Sequence, residues 1–359
     1  MKTIHFLLII LLIFCVAFYL SFFETKKNQP PKVPQESELF LLNWEDYLSQ
    51  EVINEFEKEY KIKVHVDTIE SSDEILPLLQ STPSKYDLII AEDSLIPFLK
   101  ELNFLGEIDQ KSVPNLIYLK EELRANPYDP FNRFCVPYNQ GYTGLIINEK
   151  YVQNFDGTRK VLFDKNYQGK ISMPNMPEEI LINALFYLGY PINLPSKEQA
   201  EKALELIKKQ KELGALWQDP TEQREALVKE KAWVAYIYSS EFLPIKDLNP
   251  NLKFFPLKEG VLLWTDNWCL LADAPHKKAA HLFLNFILDP KINAKNAQDI
   301  GISPVVKGAE QFLPDEFREN LKIISFLDKD TLEKSQYFLT KNRPEMREIL
   351  SEVAKELGL

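Results

Sequence analysis

Residues 38–102 alternate between two hydrophobic periods, and that alternation constrains the fold more than any other feature of the chain. Residues 38–42 read as an apolar strand, and residues 49–60 then place Val52, Ile53, Phe56 and Tyr60 at helical spacing. Residues 61–67 (Lys-Ile-Lys-Val-His-Val-Asp) return to a period of two. A short helix over 72–80, a buried strand over 86–91 and another helix over 94–102 follow. This β-α-β-α-β order predicts a parallel sheet with right-handed crossovers. Ligands of such sheets bind at the carboxyl ends of the strands. Residues 43–47 and 91–94 occupy two of those ends.

A second set of elements continues the α/β pattern. Residues 134–137 and 143–147 are apolar strand candidates, split by Asn139-Gln140-Gly141. A short strand over 170–173 precedes a helix over 178–188 carrying Leu181, Ala184, Leu185 and Leu188. A longer helix spans 197–213, and strands are expected over 232–238, 252–256 and 268–272. An amphipathic helix over 276–288 follows. The chain ends in a helix over 344–357 with Met346, Ile349, Leu350, Val353 and Leu357 on one face. There is no internal repeat.

A length of 359 residues suggests two domains, or one large one. The net charge of −11 makes nucleic acid or an anionic membrane surface a poor partner. No glycine-rich phosphate loop of the G-x-G-x-x-G or Walker type is present among the 11 glycines. G-x-S-x-G and H-E-x-x-H are also absent, and His5, His65, His276 and His281 lack metal-site spacing. The expectation is a protein that is not an enzyme and carries no cofactor or metal. Residues 4–23 are almost continuously apolar, long enough at about 1.5 Å per residue to cross a bilayer core. Bulky residues run to Phe23 and leave no good cleavage site, which favours an uncleaved anchor over a cleaved signal. Lys2 lies on one side of the run and Lys26 and Lys27 on the other, so charge does not orient it. Residues 26–37 are polar and proline-rich and read as a tether. Beyond the anchor only Cys135 and Cys269 remain, and buried free thiols are expected of them.

Two short segments carry the chemistry. Asn43-Trp44-Glu45-Asp46-Tyr47 follows the first strand, and Trp264-Thr265-Asp266 follows Lys258-Glu259-Gly260. Each sets an aromatic face within three residues of a carboxylate. That pairing suits an organic cation with an apolar body, because the ring face attracts the cation and the carboxylate neutralises it. The plainer reading of either segment alone is a half-buried tryptophan beside surface acids.

With these residues in hand, the chain resembles the spermidine/putrescine-binding proteins of bacterial polyamine ABC importers. Besides the two segments above, the matching stretches are Glu70-Ser71-Ser72-Asp73-Glu74, Tyr86-Asp87-Leu88-Ile89-Ile90, Val136-Pro137-Tyr138, Tyr167-Gln168-Gly169-Lys170, Asn285-Phe286 and Ile300-Gly301. The resemblance implies a two-lobed periplasmic-binding-protein-like α/β fold, with two parallel-sheet lobes joined by a hinge, behind an N-terminal hydrophobic helix. The expected division is 1–25 as anchor or signal, 26–37 as linker, 38–143 plus 265–310 as the first lobe, and 144–264 plus 311–359 as the second. It implies a polyamine trapped between lobes, docking of the closed form on an ABC permease, and a monomer on the periplasmic side of the inner membrane.

Residue by residue, Trp44, Tyr47 and Trp264 match aromatics that wall the family's cleft, and Tyr238 falls where the family usually has tryptophan. Asp266 and Glu179 match carboxylates that hold ligand ammonium groups, while Asp46 and Glu241 match acids of putrescine-type members. Met176 stands where spermidine-type members carry aspartate, which favours a short diamine. Ser94 and Ile302 replace residues that are often tyrosine, and Glu92 and Asp93 are additional acids that also suit a helix cap. Other readings remain: a binding protein for another small cationic or amino-acid-like ligand, or a polyamine sensor without a transport role.

Overall fold

A computed structural model describes residues 36–325 and 327–359. The expected anchor over 4–23 and nearly all of the tether lie outside them. Among the described residues no helix is long and apolar enough to cross a membrane.

The opening alternation folds as the periods dictate. Strand β1 (Glu38–Trp44), helix α1 (Gln50–Tyr60), β2 (Lys63–Ile69), α2 (Ile75–Ser81), β3 (Leu88–Glu92) and α3 (Ile96–Glu101) follow in order. Ser49 starts α1 by accepting the Val52 N–H at 3.3 Å, and Lys61 ends it in the left-handed region at φ 59°. β1 pairs with β2 and β3 in parallel. Leu39, Leu41, Leu42, Leu88, Ile89 and Ile90 are all fully buried there. Each contributes about 1.5–3 kcal/mol by leaving water.

The next element departs from expectation. The two strand candidates around Asn139-Gln140-Gly141 are one strand, β4 (Cys135–Asn148), with an irregularity between Pro137 and Asn139. The irregularity leaves only Tyr138 out of register, while Asn139, Gln140 and Gly141 stay paired with Asp266, Thr265 and Trp264, so the polar residues do not end the ladder. Then come β5 (Ile171–Pro174), α4 (Pro177–Leu188), α5 (Lys197–Glu212), β6 (Leu216–Gln218), α6 (Pro220–Val228), β7 (Val234–Tyr238), β8 (Leu252–Phe255) and β9 (Leu262–Leu270). Helices α7 (Lys277–Ile287), α8 (Pro290–Ile300), α9 (Asp315–Ser325) and α10 (Lys329–Lys334), the two-residue β10 (Gln336–Tyr337) and α11 (Pro344–Leu357) complete the chain.

The strands run in the order β2-β1-β3-β9-β4-β7-β5-β6, with β10 beside β9 and β8 beside β4. The expected parallel sheets are in fact mixed: β9 is antiparallel to both β3 and β4, and β4 is antiparallel to β7 and β8. The reason is that β4 and β9 are returning strands that pass between two sets of parallel neighbours. β4 changes partners along its length, pairing with β9 up to Tyr142 and with β7 from Thr143 onward. α11 covers α4 and α5 through Met346, Val353 and Leu357, so the C-terminal helix packs on the set that contains β5 and β7.

Cys135 and Cys269 correct the free-thiol expectation. They are direct partners across β4 and β9 and form a disulfide, with Cα atoms 4.0 Å apart. Sequence separation hid this, because only the ladder register brings the 134-residue-distant pair together. Closing a loop of that size stabilises by roughly 2–5 kcal/mol through the unfolded chain. Reduction with dithiothreitol is therefore expected to lower the melting temperature by several degrees. An unchanged melt after verified reduction would show that the bond contributes nothing.

Candidate functional site

A cavity of about 470 Å³ opens where β4 changes partners. It is lined from one side by Tyr47, Glu92, Asp93, Ser94 and Ile302, and from the other by Met176, Glu178, Glu179, Tyr238 and Glu241. The β9 residues Trp264 and Asp266 and the β4 residues Asn139 and Gln140 span the middle. The size falls within the usual range for a small-molecule site.

Asp266 lies across from Glu92 in the β3–β9 ladder and from Asn139 in the β4–β9 ladder. Its Oδ2 accepts the Tyr47 hydroxyl at 2.6 Å, and Asn139 Nδ2 donates to that same hydroxyl oxygen at 2.6 Å. Tyr138 fixes the loop by donating to the Tyr47 carbonyl at 2.6 Å. Burial, reinforced by the Glu92 charge, pushes the Asp266 carboxyl up to about 7 against the lowering effect of the Tyr47 bond. Trp264, two residues away, points to the same face of β9. Its indole lies over Gly141, where any Cβ would come within 2.3 Å of the ring, so glycine at that point is what lets the ring lie against β4. Tyr238 meets Trp264 edge-on, with centroids 6.1 Å apart.

Glu179 enters from the first turn of α4, which Pro177 starts and Gly189 ends in the left-handed region. It is 4% exposed, its Oε1 accepts the Tyr238 hydroxyl at 3.0 Å, and its Oε2 has no partner among the described residues. Burial pushes this carboxyl up to about 8, opposed by the Tyr238 bond and the Lys341 charge and reinforced by Glu178 and Glu92. The Tyr238 hydroxyl also points at Met176 Sδ, 3.9 Å away.

Tyr47, Glu179, Tyr238, Glu241, Trp264 and Asp266 thus converge on one cavity. Glu241 reaches it already ion-paired with Arg224. Trp44 and Asp46 are not brought there. They face a separate open groove beside α1 and α8, which also contains Tyr47, Ser49 and Asp299. The cause is local: Trp44 ends β1 packed against the core, and Asp46 turns the chain in the left-handed region at φ 52° with its side chain exposed. Of the extra acids, Asp93 is buried and accepts the Thr265 N–H at 2.6 Å, while Glu92 stays half-exposed. Sequence reasoning missed Asn139, Gly141, Glu178 and Lys341. In the sequence, the polar Asn139-Gln140-Gly141 run reads as a break between strands. Lys341 stands in a polar stretch with no periodicity to mark it.

The bacterial extracellular solute-binding protein family matches residues 51–323, well over half of the chain. The chain belongs to this family. Members of the family are non-enzymatic solute-binding proteins, and the α/β fold with its mixed sheet is theirs. The chain is 26% identical over 317 residues to the putrescine/agmatine-binding protein of Pseudomonas aeruginosa, covering 83% of this chain and 85% of that protein. It is 24% identical to the spermidine/putrescine-binding periplasmic protein of Escherichia coli, covering 83% and 86%. A putative spermidine/putrescine ABC transporter structure from Listeria monocytogenes matches with a TM-score of 0.76 at 26% identity, covering 90% of this chain and 99% of that one.

Proposed function

We propose that the protein is the polyamine-binding component of an ABC uptake system, acting on the periplasmic side of the inner membrane. The observation that carries this reading is the pair of carboxylates, buried Glu179 and half-buried Asp266, that make no ion pair among the described residues and that share a cavity with Trp264 and Tyr238. A buried carboxylate without a cationic partner is costly unless a ligand supplies one. An alkyl diamine supplies one at each end and offers its methylenes to the rings. An anionic or neutral ligand would supply neither cation. The names of the relatives above agree with this choice of ligand.

The site is assigned to Tyr47, Glu179, Tyr238, Trp264 and Asp266, with Glu241 at its edge. Residues 38–143 plus 265–310 and 144–264 plus 311–359 act as two lobes hinged at β4 and β9. In an open form the acids are hydrated, and closing the empty cavity buries them in their protonated form. The ligand bridges them, so the closed form becomes favourable only when it is bound. That closed form docks on the permease as a monomer, and residues 4–23 hold the protein at the membrane.

The reading predicts thermal stabilisation by polyamines. Putrescine, cadaverine or spermidine at a hundred times its dissociation constant adds about 2.7 kcal/mol. Melts that do not move with millimolar polyamines, but do move with an amino acid or a carboxylate ligand, would assign the cavity to the alternative ligand class.

A further inference from the structure

The cavity already contains one ammonium group, and it belongs to the protein. Residues 336–341 form a strap beside β9. β10 pairs with Leu262 and Leu263, Phe338 is buried, and the Asn193 side chain binds the Tyr337 carbonyl and the Leu339 N–H at 2.8 Å each. The strap delivers the Lys341 side chain into the cavity, with Nζ 2.8 Å from Glu178 Oε1 and 3.8 Å from Glu92 Oε1. Glu92 closes β3 and Glu178 opens α4, so one ammonium joins acids carried by both sides of the cavity. Burial opposes the Lys341 charge, but Glu92 and Glu178 outweigh it and hold the ammonium in its charged form. A lysine side chain is a butylammonium, chemically the same as one end of an aliphatic polyamine.

The carboxylates of the cavity can be followed one at a time. Asp93 is used by the Thr265 N–H, Glu241 is paired with Arg224, and Glu92 and Glu178 share Lys341. Glu179 and Asp266 are left with phenol donors alone, and Glu179 keeps one buried oxygen without a partner among the described residues. A third ammonium entering this cavity must either lose water without gaining a partner or displace Lys341. We propose that Lys341 determines specificity: it is a resident ammonium that fills the third cationic position and restricts the cavity to ligands with two cationic nitrogens. The inference rests on the polyamine reading above and adds which polyamines the cavity takes.

Calorimetric titration of the full chain with putrescine, cadaverine and spermidine tests it. The wild type is expected to bind a diamine at least as tightly as spermidine. Lys341→Met keeps the apolar stem and frees Glu92 and Glu178, so spermidine affinity should rise at least tenfold relative to putrescine. Lys341→Arg keeps the charge and should keep the wild-type preference. Should the methionine variant fail to melt cooperatively, Lys341→Gln supplies the same comparison. A spermidine-to-putrescine ratio unchanged in the folded neutral variant overturns the role of Lys341 and leaves polyamine binding standing. A wild type that binds none of the three overturns both.

Discussion

Asp266→Asn should lower putrescine affinity by on the order of 100-fold or more while leaving the fold intact. The ligand ammonium meets Asp266 out of water, and removing one partner of a desolvated charge pair costs about 2–5 kcal/mol. Every 1.4 kcal/mol is a factor of about ten in affinity. The amide keeps the shape of the carboxyl and can still accept from Tyr47, so the Tyr47–Asn139–Tyr138 arrangement survives. Glu179→Gln should behave in the same way through its bond to Tyr238. Trp264→Ala removes a ring contact that contributes ~0.5–2 kcal/mol, a loss of only about 2–30-fold. Asp46→Asn is the internal control. Its side chain is exposed and faces the neighbouring groove, so affinity should change by less than about threefold. Titration of the four variants checks the ranking. Equal losses for Asp46→Asn and Asp266→Asn would remove the distinction between the two cavities.

Affinity for a diamine should rise on the order of 100-fold between pH 6 and pH 8. Burial raises Glu179 to about 8 and Asp266 to about 7, so in the empty protein both carry protons through much of that range. A bound ammonium favours the ionised carboxylate, so binding releases those protons and weakens where they are held most firmly. Each group gives up to a tenfold change per pH unit below its own value. Stability of the empty protein runs the other way. Both groups have folded values raised above their unfolded values, so they favour the folded form while protonated. That contribution is lost as the pH rises from the ordinary carboxyl range, about 4, through about 7 and then about 8. Asp87, Asp93 and Asp129 are also raised by burial and act in the same direction. The empty protein should therefore melt lower at pH 8 than at pH 6, while the shift produced by putrescine grows. Melts at both pH values with and without ligand check this. Ligand shifts that shrink as the pH rises would contradict it.

The sheet was legible where a strand is buried on both faces. Residues 38–42 and 86–91 carry unbroken or near-unbroken apolar runs, and β1 and β3 form there. The antiparallel insertion of β9 was not legible, because strand direction depends on which distant strand is its neighbour. The same non-local register conceals the Cys135–Cys269 disulfide. Within the site, Trp264 and Asp266 were readable because alternation along a strand fixes two residues on one face. Trp44 and Asp46 have the same local pattern, yet Trp44 packs against the core at the end of β1 and Asp46 sits exposed in a left-handed turn that no period in the sequence marks. Lys341 was invisible for a related reason. A two-residue strand, β10, positions it, and so short an element has no periodicity to detect.

Calorimetric titration of putrescine at pH 7, repeated in two buffers of different ionisation enthalpy, tests the central claim most directly. The account predicts one ligand per chain and the release of about one to two protons as Glu179 and Asp266 ionise against the ligand's ammonium groups. No binding heat with any polyamine, or binding heat independent of the buffer, would contradict it.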